Sequence, residues 1–461
     1  MGNVFELFSD STATFRFDDG SETSASELAE QGRRVATWLL GRAFERGDRL
    51  ALRMPNNADY LRLLVACAAG GFVAVSVNTR YSEAEVAELV QRSGARLVQL
   101  DDDPSGWRAC EPIDPDGSGD DPFVVFTTSG TTSKPKLVLH RQFSIVSHAH
   151  DAARGFGLSG DDVVLVVMPF GGTFGLTSLT AALAGSCRIV VTDFDAAATG
   201  KLIAAQAVTC VNGSDDMFHR LLEQGADLSS IRLGGYGRFN TSLDGIVERT
   251  AAAGATVTGL YGMSEVQALF ALRDPAGNAA DRSRAGGTLV SSDAAYRIID
   301  GALQLRGPSL FAGYLAEGGA AIDEELTGQH FDGGWFRTGD LAEPDGDRGF
   351  EYVARIGDAL RLGGFLVGPA EVEVALLEVT GIQQAQVVAV DRPGGARPVA
   401  FVIAPGGIDE AAAIQHCRRQ LARYKVPVRV IVVDEFPTTA SANGVKILKN
   451  ELRTMAAAEL D

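Results

Sequence analysis

Residues 127–136 read TTSGTTSKPK and lie between two apolar runs, FVVF at 123–126 and LVL at 137–139. Both runs have the length and composition of short buried strands. The segment between them is rich in hydroxyl groups and carries two lysines, so it predicts a turn that holds a polyphosphate through hydroxyls, backbone N–H groups and ammonium groups. It is not a Walker-type loop, because the glycine spacing and the following helix are missing. A solvated polar hairpin is the alternative that these residues leave open.

The composition of the chain is that of a globular protein with more than one domain. Its 461 residues exceed a single ordinary core, and 46% are hydrophobic and 22% charged. A formal net charge of -18 argues against nucleic acid or an anionic membrane as the main partner. Five scattered cysteines, no pattern of a secretory signal and no apolar stretch long enough for a bilayer favour a cytoplasmic protein without membrane insertion.

Alternating strand and helix patterns predict a largely parallel sheet covered on both faces for most of the chain. Ser24 and Glu27 form a capping box for a helix over 25–41. From about Gly286 short strands joined by turns predict a β-rich part. The predicted fold class is therefore α/β, with a large N-terminal domain (1–357) of two α/β subdomains plus a small β-barrel-like subdomain. A small mobile α+β C-terminal domain (358–461) follows.

Three later stretches each give a weak signal for a nucleotide site. In YGMSE at 261–265, a strand ends in an aromatic ring, a hydroxyl and a carboxylate, which could stack a base, contact a phosphate and bind magnesium. In WFRTGD at 335–340, Asp340 could accept hydrogen bonds from ribose hydroxyls or cap a turn. In NGVK at 443–446, Lys446 follows a hairpin-type turn, where a lysine is usually a surface residue.

Taken together and in this order, these stretches resemble the adenylate-forming superfamily of acyl- and aryl-CoA synthetases, luciferases and peptide-synthetase adenylation domains. The resemblance extends from about Glu27 to Arg453. The matching pieces are FTTSGTTSKPK, MPFGGTFG, GGYG, LYGMSE, WFRTGD, ARIGD, GFLVGPAEVE and NGVKILKNELR. It implies an ATP-dependent ligase that activates a carboxylic acid as acyl-AMP, releases pyrophosphate and transfers the acyl group to CoA, with the C-terminal domain rotating between the two steps.

The resemblance also implies roles for single residues. The opening loop would hold the β- and γ-phosphates, Ser264 would contact the α-phosphate, Glu265 would bind magnesium, and Lys446 would bridge the acid and the α-phosphate; these three are the predicted catalytic residues. Adenine would lie between the segment 235–237 and Tyr261, and the ribose would lie at Asp340. The full predicted ATP-binding set is Thr128, Ser129, Gly130, Thr131, Thr132, Lys136, Gly235, Tyr236, Gly237, Tyr261, Asp340 and Arg355.

The predicted acid pocket is where the chain departs from the family pattern. Gly172 replaces a frequent histidine, and Asp215 and Asp216 stand in a run that is usually apolar. Because acidic groups disfavour a long apolar tail nearby, we expect a small aryl or short acyl acid. The alternative is that Asp215 caps the next helix and Asp216 faces solvent. The predicted pocket residues are Phe170, Gly172, Phe174, Asp215, Asp216 and Met263.

Two other activities of the same fold stay open at this point. Some relatives use ATP to activate nitrite and pass the nitrosyl group to an aromatic amine, as diazotases, and the acidic pair and Gly357 at the hinge position are compatible with that. A carrier protein could also replace CoA as the acceptor. An inactive binding protein is less well supported, because Lys446, Glu265 and Asp340 are all present. The substrate is a small molecule in each activity, and the sequence sets no oligomeric state.

Overall fold

The computed structural model describes residues 2–100, 105–128, 135–239, 243, 245–362, 365–390, 392, 396–441 and 444–460. The helices are α1 (Val4–Ser9), α2 (Ala25–Leu40), α3 (Ala58–Gly70), α4 (Glu83–Ser93), α5 (Ser105–Arg108), α6 (Gln142–Gly155), α7 (Thr173–Ala184), α8 (Ala196–Gln206), α9 (Asp215–Glu223), α10 (Ile246–Ala252), α11 (Ala279–Arg282), α12 (Glu324–Gln329), α13 (Pro369–Leu377), α14 (Glu410–Gln420) and α15 (Lys449–Leu460). The strands are β1 (Thr14–Arg16), β2 (Glu22–Ser24), β3 (Arg49–Leu52), β4 (Val73–Ser76), β5 (Arg96–Leu97), β6 (Pro122–Thr127), β7 (Leu137–Arg141), β8 (Val163–Val166), β9 (Arg188–Val191), β10 (Cys210–Ser214), β11 (Leu233–Gly237), β12 (Val257–Met263), β13 (Gln267–Leu272), β14 (Gly286–Leu289), β15 (Ala295–Ile299), β16 (Ala302–Arg306), β17 (Gly313–Tyr314), β18 (Phe331–Asp332), β19 (Trp335–Pro344), β20 (Gly349–Arg355), β21 (Leu360–Leu362), β22 (Phe365–Val367), β23 (Gln384–Val390), β24 (Arg397–Ile403), β25 (Arg429–Val432), β26 (Thr438–Ser441) and β27 (Gly444–Ile447).

The first sheet carries the loop at 127–136. Within the described residues it has six strands in the order β17-β7-β6-β4-β3-β5. Strands β3 to β6 pair in parallel, whereas β6 and β7 pair antiparallel with Thr127 opposite Leu137. The two predicted strands are therefore present and paired, and they are largely buried, as their apolar composition requires. The predicted turn between them falls mainly on residues 129–134, which lie outside the described residues.

The second sheet combines the predicted parallel and β-rich parts. Its order is β15-β16-β19-β20-β14-β13-β12-β11-β10-β8-β9-β1-β2, with β18 paired to β19. The strands from β8 to β12 pair in parallel, and those from β12 through β16 and β20 pair antiparallel. The largest cluster of buried side chains joins the two sheets through α2, α3, α6 and α7. This mixed α/β architecture confirms the predicted fold class.

The local signals placed most elements correctly. The hydroxyl of Ser24 accepts from the N–H of Glu27, and the Glu27 carboxylate accepts from the N–H of Ser24, so the predicted capping box opens α2. A strand expected over 207–211 is β10 instead, because α8 continues to Gln206 and Ala207 ends it with a positive φ of 48°. The connection at 101–121, expected to be exposed, includes α5, whose Trp107 is buried in the core.

The small C-terminal domain is α+β, as predicted. Its described residues form the three-stranded sheet β23-β24-β25 and the hairpins β21-β22 and β26-β27, and α13 and α14 pack over the three-stranded sheet. Helix α15 contacts the proposed hinge, since the Arg453 guanidinium donates to the Gly357 carbonyl at 2.9 Å and lies 3.1 Å from an Asp358 carboxylate oxygen. The boundary at 357/358 stays a prediction. Among the described residues, none of the helices has the length and apolar character needed to cross a membrane.

Candidate active site

The candidate site lies at one edge of the second sheet, where neighbouring parallel strands end. Strands β8, β10, β11 and β12 are adjacent and parallel. Ligands of open α/β sheets bind at the carboxyl ends of such strands. Phe170 follows β8 and Asp215 follows β10, whereas Gly237 ends β11 and Ser264 follows β12. The fold therefore places the predicted acid side, at β8 and β10, beside the predicted nucleotide side, at β11 and β12.

The predicted phosphate loop is described only at its base. Ser129, Gly130, Thr131 and Thr132 lie outside the described residues. The N–H of Thr128 donates to the carbonyl of Lys136 at 3.0 Å, and the N–H of Lys136 donates to the Thr128 hydroxyl at 3.0 Å. These two bonds close the β6–β7 hairpin at the point where the loop begins and returns.

The Lys136 ammonium lies in a pocket of side chains that the sequence did not identify. Its Nζ is 2.7 Å from Nε2 of His330 and 4.7 Å from the centre of the Tyr314 ring. Burial lowers the pKa of Lys136, and the nearby carboxylate of Glu265 opposes that shift. The Lys136 side chain is half-buried, so water solvates its positive charge only in part.

Glu265 is a buried carboxylate beside this lysine. It is 5% exposed, and the Tyr314 hydroxyl donates to its Oε1 at 2.9 Å. Burial raises the pKa of Glu265, while the hydrogen bond from Tyr314 and the charges of Arg355 and Lys136 lower it in part. Tyr314 thus links the two groups, because its ring lies under the ammonium and its hydroxyl bonds to the carboxylate.

The turn that carries Ser264 and Glu265 is held from behind by a buried histidine. Nε2 of His140 is 2.7 Å from the Ser264 carbonyl, so this nitrogen carries the proton and donates. Burial lowers the pKa of His140 to about 4, which keeps the ring neutral. Gln267 and Leu269, just after the turn, have positive φ angles of 68° and 58°, and Nε2 of His148 lies 2.6 Å from the carbonyl of Ala268 between them.

Asp340 forms the second charged group of the nucleotide side. Tyr261 donates its hydroxyl to Oδ2 at 2.6 Å, and Arg355 donates to Oδ1 at 2.7 Å and to the Thr338 carbonyl at 2.8 Å. Strands β19 and β20 set this geometry, because Asp340 and Arg355 are directly paired. Burial raises the pKa of Asp340, and Arg355 and Tyr261 counteract it. The structure thus brings three predicted ATP-binding residues together.

The segment 235–237 contributes backbone rather than side chains. The N–H of Gly235 donates to Asn212 Oδ1 at 3.0 Å, and a Cβ at this position would lie 2.6 Å from that oxygen. The Tyr236 ring is buried in the neighbouring core and its hydroxyl donates to the Ser283 carbonyl. If this segment contacts a base, it does so through its main chain.

On the acid side, two of the predicted pocket residues are core residues. Phe170 and Phe174 are 1% and 3% exposed, and the Phe170 ring lies 5.5 Å from that of Tyr60. Gly172 is the N-cap of α7 and provides no side-chain cap. Met263 lies on the nucleotide side instead, where its sulfur is 3.6 Å from the Tyr261 hydroxyl.

The two aspartates have different environments. Ser214, and not Asp215, caps α9, since its hydroxyl accepts from the N–H of Met217 at 3.1 Å, so the capping alternative for Asp215 is wrong. Asp215 is 1% exposed and its Oδ1 accepts from the N–H of Asp216. Asp216 faces solvent, 4.0 Å from Arg220. The structure therefore separates the pair, with only Asp215 in a buried position.

Two buried polar residues of this side were not predicted. Asn212 on β10 donates to the Ser178 hydroxyl on α7 at 3.3 Å, and both are nearly inaccessible. A polar residue in an otherwise apolar central strand, as in VNGS at 211–214, is the signal that could have identified Asn212.

Lys446, the predicted catalytic lysine, is on strand β27. It pairs with Thr439 of β26 in a hairpin of the C-terminal domain. The β-hairpin expected from NGVK is thus present in part, with Asn443 outside the described residues. The catalytic role of Lys446 stays a prediction.

Comparison with known proteins gives one consistent family. The profile of the AMP-binding enzyme family matches residues 4–111 and 99–315, and that of the AMP-binding enzyme C-terminal domain matches 371–443. The long-chain-fatty-acid–CoA ligase FadD13 of Mycobacterium tuberculosis is 28% identical over 91% of this chain and 90% of its own. The 2-succinylbenzoate–CoA ligase of Bacillus cereus is 29% identical over 93% of this chain and 92% of its own.

A solved structure supports the same fold. The O-succinylbenzoate coenzyme A synthetase MenE from Bacillus subtilis, in complex with ATP and a magnesium ion, has a TM-score of 0.83 and 24% identity, covering 95% of this chain and 96% of that one. The family profiles cover well over half of the chain, and they confirm the prediction of an adenylate-forming enzyme at the level of the family. The chain belongs to the AMP-binding enzyme family.

Proposed function

We propose that this protein is an ATP-dependent ligase that joins a small aryl or short acyl carboxylic acid to CoA through an acyl-adenylate. The observation that carries the proposal is a group of four charged residues, linked in pairs by Tyr314 and Tyr261. They are Lys136 just before β7, Glu265 just after β12, Asp340 on β19 and Arg355 on β20. The coarser assignment, an acid–CoA ligase, is supported by the family match and by relatives that are CoA ligases.

In the first step a carboxylate oxygen of the acid attacks the α-phosphorus of ATP, and pyrophosphate leaves. Both reactants are anions, so the site must offset their repulsion and stabilise charge on the phosphoryl oxygens. Lys136 supplies a positive charge at the base of the phosphate loop, and Lys446 supplies a second one from the C-terminal domain. Ser264 donates a hydroxyl to the α-phosphate.

Glu265 fits the role of a magnesium ligand. Its carboxylate is a hard oxygen donor, the type that magnesium prefers, and the Tyr314 hydroxyl fixes its orientation. Burial raises the pKa of Glu265, and a bound cation would oppose this shift because it favours the charged carboxylate. Magnesium, when bound with ATP, supplies charge neutralisation at the phosphates. Asp340 holds the ribose hydroxyls, with Arg355 and Tyr261 fixing the carboxylate.

In the second step the CoA thiolate attacks the acyl carbon of the adenylate and AMP leaves. Gly357 at the proposed hinge is exposed, and a side chain there would meet nothing within 4 Å. The backbone at this position therefore has room for the rotation that the family uses to replace Lys446 by the thiol.

The acid side favours a substrate with a polar group. Asp215 is buried at the carboxyl end of β10, and Asn212 and Ser178 add neutral polar groups nearby. A long apolar chain placed beside a buried carboxylate is unfavourable. An aryl or short acyl acid that carries an amino or hydroxyl group fits this side better.

The test is product formation with a panel of carboxylic acids, ATP, magnesium and CoA, analysed by mass spectrometry. A thioester of a small aryl or short acyl acid is the expected product, and long-chain fatty acids should react at least about tenfold less well. Parallel reactions contain nitrite with an aromatic amine, or an acyl carrier protein in place of CoA. A diazonium product, or acylation of the carrier alone, would contradict the proposal.

A further inference from the structure

The hydrogen-bond partner of Lys136 is a histidine that lies 194 residues further along the chain. His330 ends α12, and its own backbone is fixed on both sides. Its N–H donates to the Thr327 carbonyl at 3.0 Å, and its carbonyl accepts from the N–H of Arg337 at 2.7 Å. These two backbone hydrogen bonds thus join His330 to α12 on one side and to β19 on the other.

The imidazole ring is held as well as the backbone. It meets the Tyr314 ring edge-on, with centres 5.2 Å apart and planes at 71°, and lies 6.5 Å from the Phe336 ring. Two aromatic neighbours leave the ring little freedom to turn. Nε2 is therefore presented to Lys136 in a defined direction.

The chemistry of the contact fixes the state of the histidine. A lysine ammonium has three donors and no acceptor, so the 2.7 Å contact is a hydrogen bond only when Nε2 of His330 accepts. The ring proton is then on Nδ1 and the histidine is neutral. Burial and the charges of Lys136 and Arg337 lower the pKa of His330, which agrees with this state.

A neutral acceptor suits a lysine that must bind phosphate. A carboxylate in the position of His330 would pair with Lys136 and cancel its charge. The imidazole instead uses one N–H of the ammonium, the Tyr314 ring covers one side, and the positive charge remains available. Without the histidine, the flexible side chain would be free to turn towards the Glu265 carboxylate, which acts on it electrostatically.

We infer that His330 is a positioning residue for the ATP phosphates, which holds the Lys136 ammonium at the base of the β6–β7 loop and away from Glu265. This inference rests on the proposed function, because it takes the phosphates of ATP as the ligand of Lys136. We therefore expect His330 to affect the binding of ATP and not the binding of the acid.

The experiment compares His330→Gln, which keeps an acceptor at a similar reach, with His330→Leu, which removes it at similar size. Each is made alone and together with Lys136→Met. The ATP KM and kcat are measured by acid-dependent ATP–pyrophosphate exchange, and MgATP affinity by calorimetry. His416→Leu is the control, since His416 contacts Glu378 on the C-terminal domain. Unfolding midpoints verify that every variant is folded, and His330→Phe, which also has no acceptor, replaces His330→Leu if that variant does not fold.

We expect His330→Leu to raise the ATP KM about tenfold, the usual effect of losing one charge-assisted hydrogen bond, with the acid KM unchanged. His330→Gln should stay within about threefold of wild type, and His330→Leu should have no further effect when Lys136 is Met. Equal losses in the Gln and Leu variants, or a Leu effect that persists beside Lys136→Met, would overturn the inference. If the wild type binds MgATP but shows no exchange with any acid, the proposed function fails instead, and the same comparison of variants is decided by the MgATP affinities.

Discussion

The two sides of the candidate site meet at the carboxyl end of the second sheet, with Lys136 and Tyr314 added from the first sheet, and they are built from different kinds of residue. On the nucleotide side, Lys136, Glu265 and Asp340 each have a partner from another strand or loop, and these partners set the direction of their charges. On the acid side, Phe170 and Phe174 are packed into the core, and the polar groups are neutral except for Asp215. The charged groups of the proposed nucleotide side match one ligand, ATP. On the proposed acid side, the shape and polarity of the site decide which carboxylic acid binds.

The difference indicates which site residues a family resemblance can identify. If the nucleotide side binds a nucleoside triphosphate, it must present cations and carboxylates in particular places, and such residue types are recognisable in the sequence. A proposed acid side needs a volume and a few polar contacts, and there the sequence departs from the family pattern at Gly172, Asp215 and Asp216. Variants on the two sides should therefore fail in different ways.

The largest effect is expected for Lys446→Ala. Loss of a cation at the reacting phosphate should reduce adenylate formation by about a hundredfold or more, while MgATP still binds. Single-turnover formation of acyl-AMP and calorimetric titration of MgATP measure the two properties separately. Lys449→Ala is the control from the same segment, because Lys449 lies 3.7 Å from Glu373 inside the C-terminal domain. Adenylate formation at the wild-type rate in Lys446→Ala would remove this residue from the mechanism.

Asp340→Asn should weaken ATP binding on the nucleotide side alone. The change removes the charge that Arg355 neutralises and turns one oxygen into a donor facing the Tyr261 hydroxyl. We expect the ATP KM to rise by about ten- to a hundredfold, with the acid KM within about twofold of wild type. Steady-state exchange assays that vary ATP and the acid in turn provide both constants. An equal change in both would show that the two sides are not independent.

Asp215→Asn and Asp216→Asn form a matched pair for the acid side. Asp215 is buried beside the pocket, whereas Asp216 is exposed on the same helix turn. We expect Asp215→Asn to change kcat/KM between an amino-aryl acid and its unsubstituted analogue by about tenfold, with the ATP KM unaltered. Asp216→Asn should leave the preference unchanged. If neither variant alters it, Asp215 has a purely structural role.

The smallest effect is expected at His140, whose imidazole donates a hydrogen bond to the Ser264 carbonyl. Because burial lowers the pKa of His140 to about 4, the unfolded chain binds a proton near pH 6.5 that the folded protein excludes. The free energy of unfolding should therefore fall as the pH drops from 6.5 towards 4, with this group contributing at most about 1.4 kcal/mol per pH unit. Urea unfolding at pH 6.5 and 5.5 measures the slope. His140→Gln should reduce the slope, with the remainder coming from groups such as His148 and His330 whose pKa values are also lowered, and an identical slope would contradict the assignment.

Much of the fold and the identity of the charged residues could be predicted because the signals are local or shared with a family. The Ser24–Glu27 capping box needs only three residues of separation, and the family confirms the predicted enzyme class. The partners of the charged residues could not be found in this way. Tyr314 and His330 meet Glu265 and Lys136 from 49 and 194 residues away, with no periodic pattern to reveal them.

The expectation that Asp215 could cap α9 was wrong because of the residue next to it. Ser214 and Asp215 are both good N-caps, and sequence alone does not say which of two adjacent residues ends the strand. In the structure β10 extends to Ser214, so the serine takes the cap and the aspartate becomes the first residue of α9. A shift of one residue thus moved a carboxylate from a capping position into the interior, next to the predicted acid pocket.

ATP–pyrophosphate exchange in the absence of CoA measures whether the nucleotide side activates a carboxylic acid with ATP. We expect labelled pyrophosphate to enter ATP only when magnesium and a small aryl or short acyl acid are present. Exchange should disappear when Lys446 is replaced by Ala. Exchange without any acid, exchange that depends on nitrite alone, or no exchange with any acid of the panel would contradict the proposed activation.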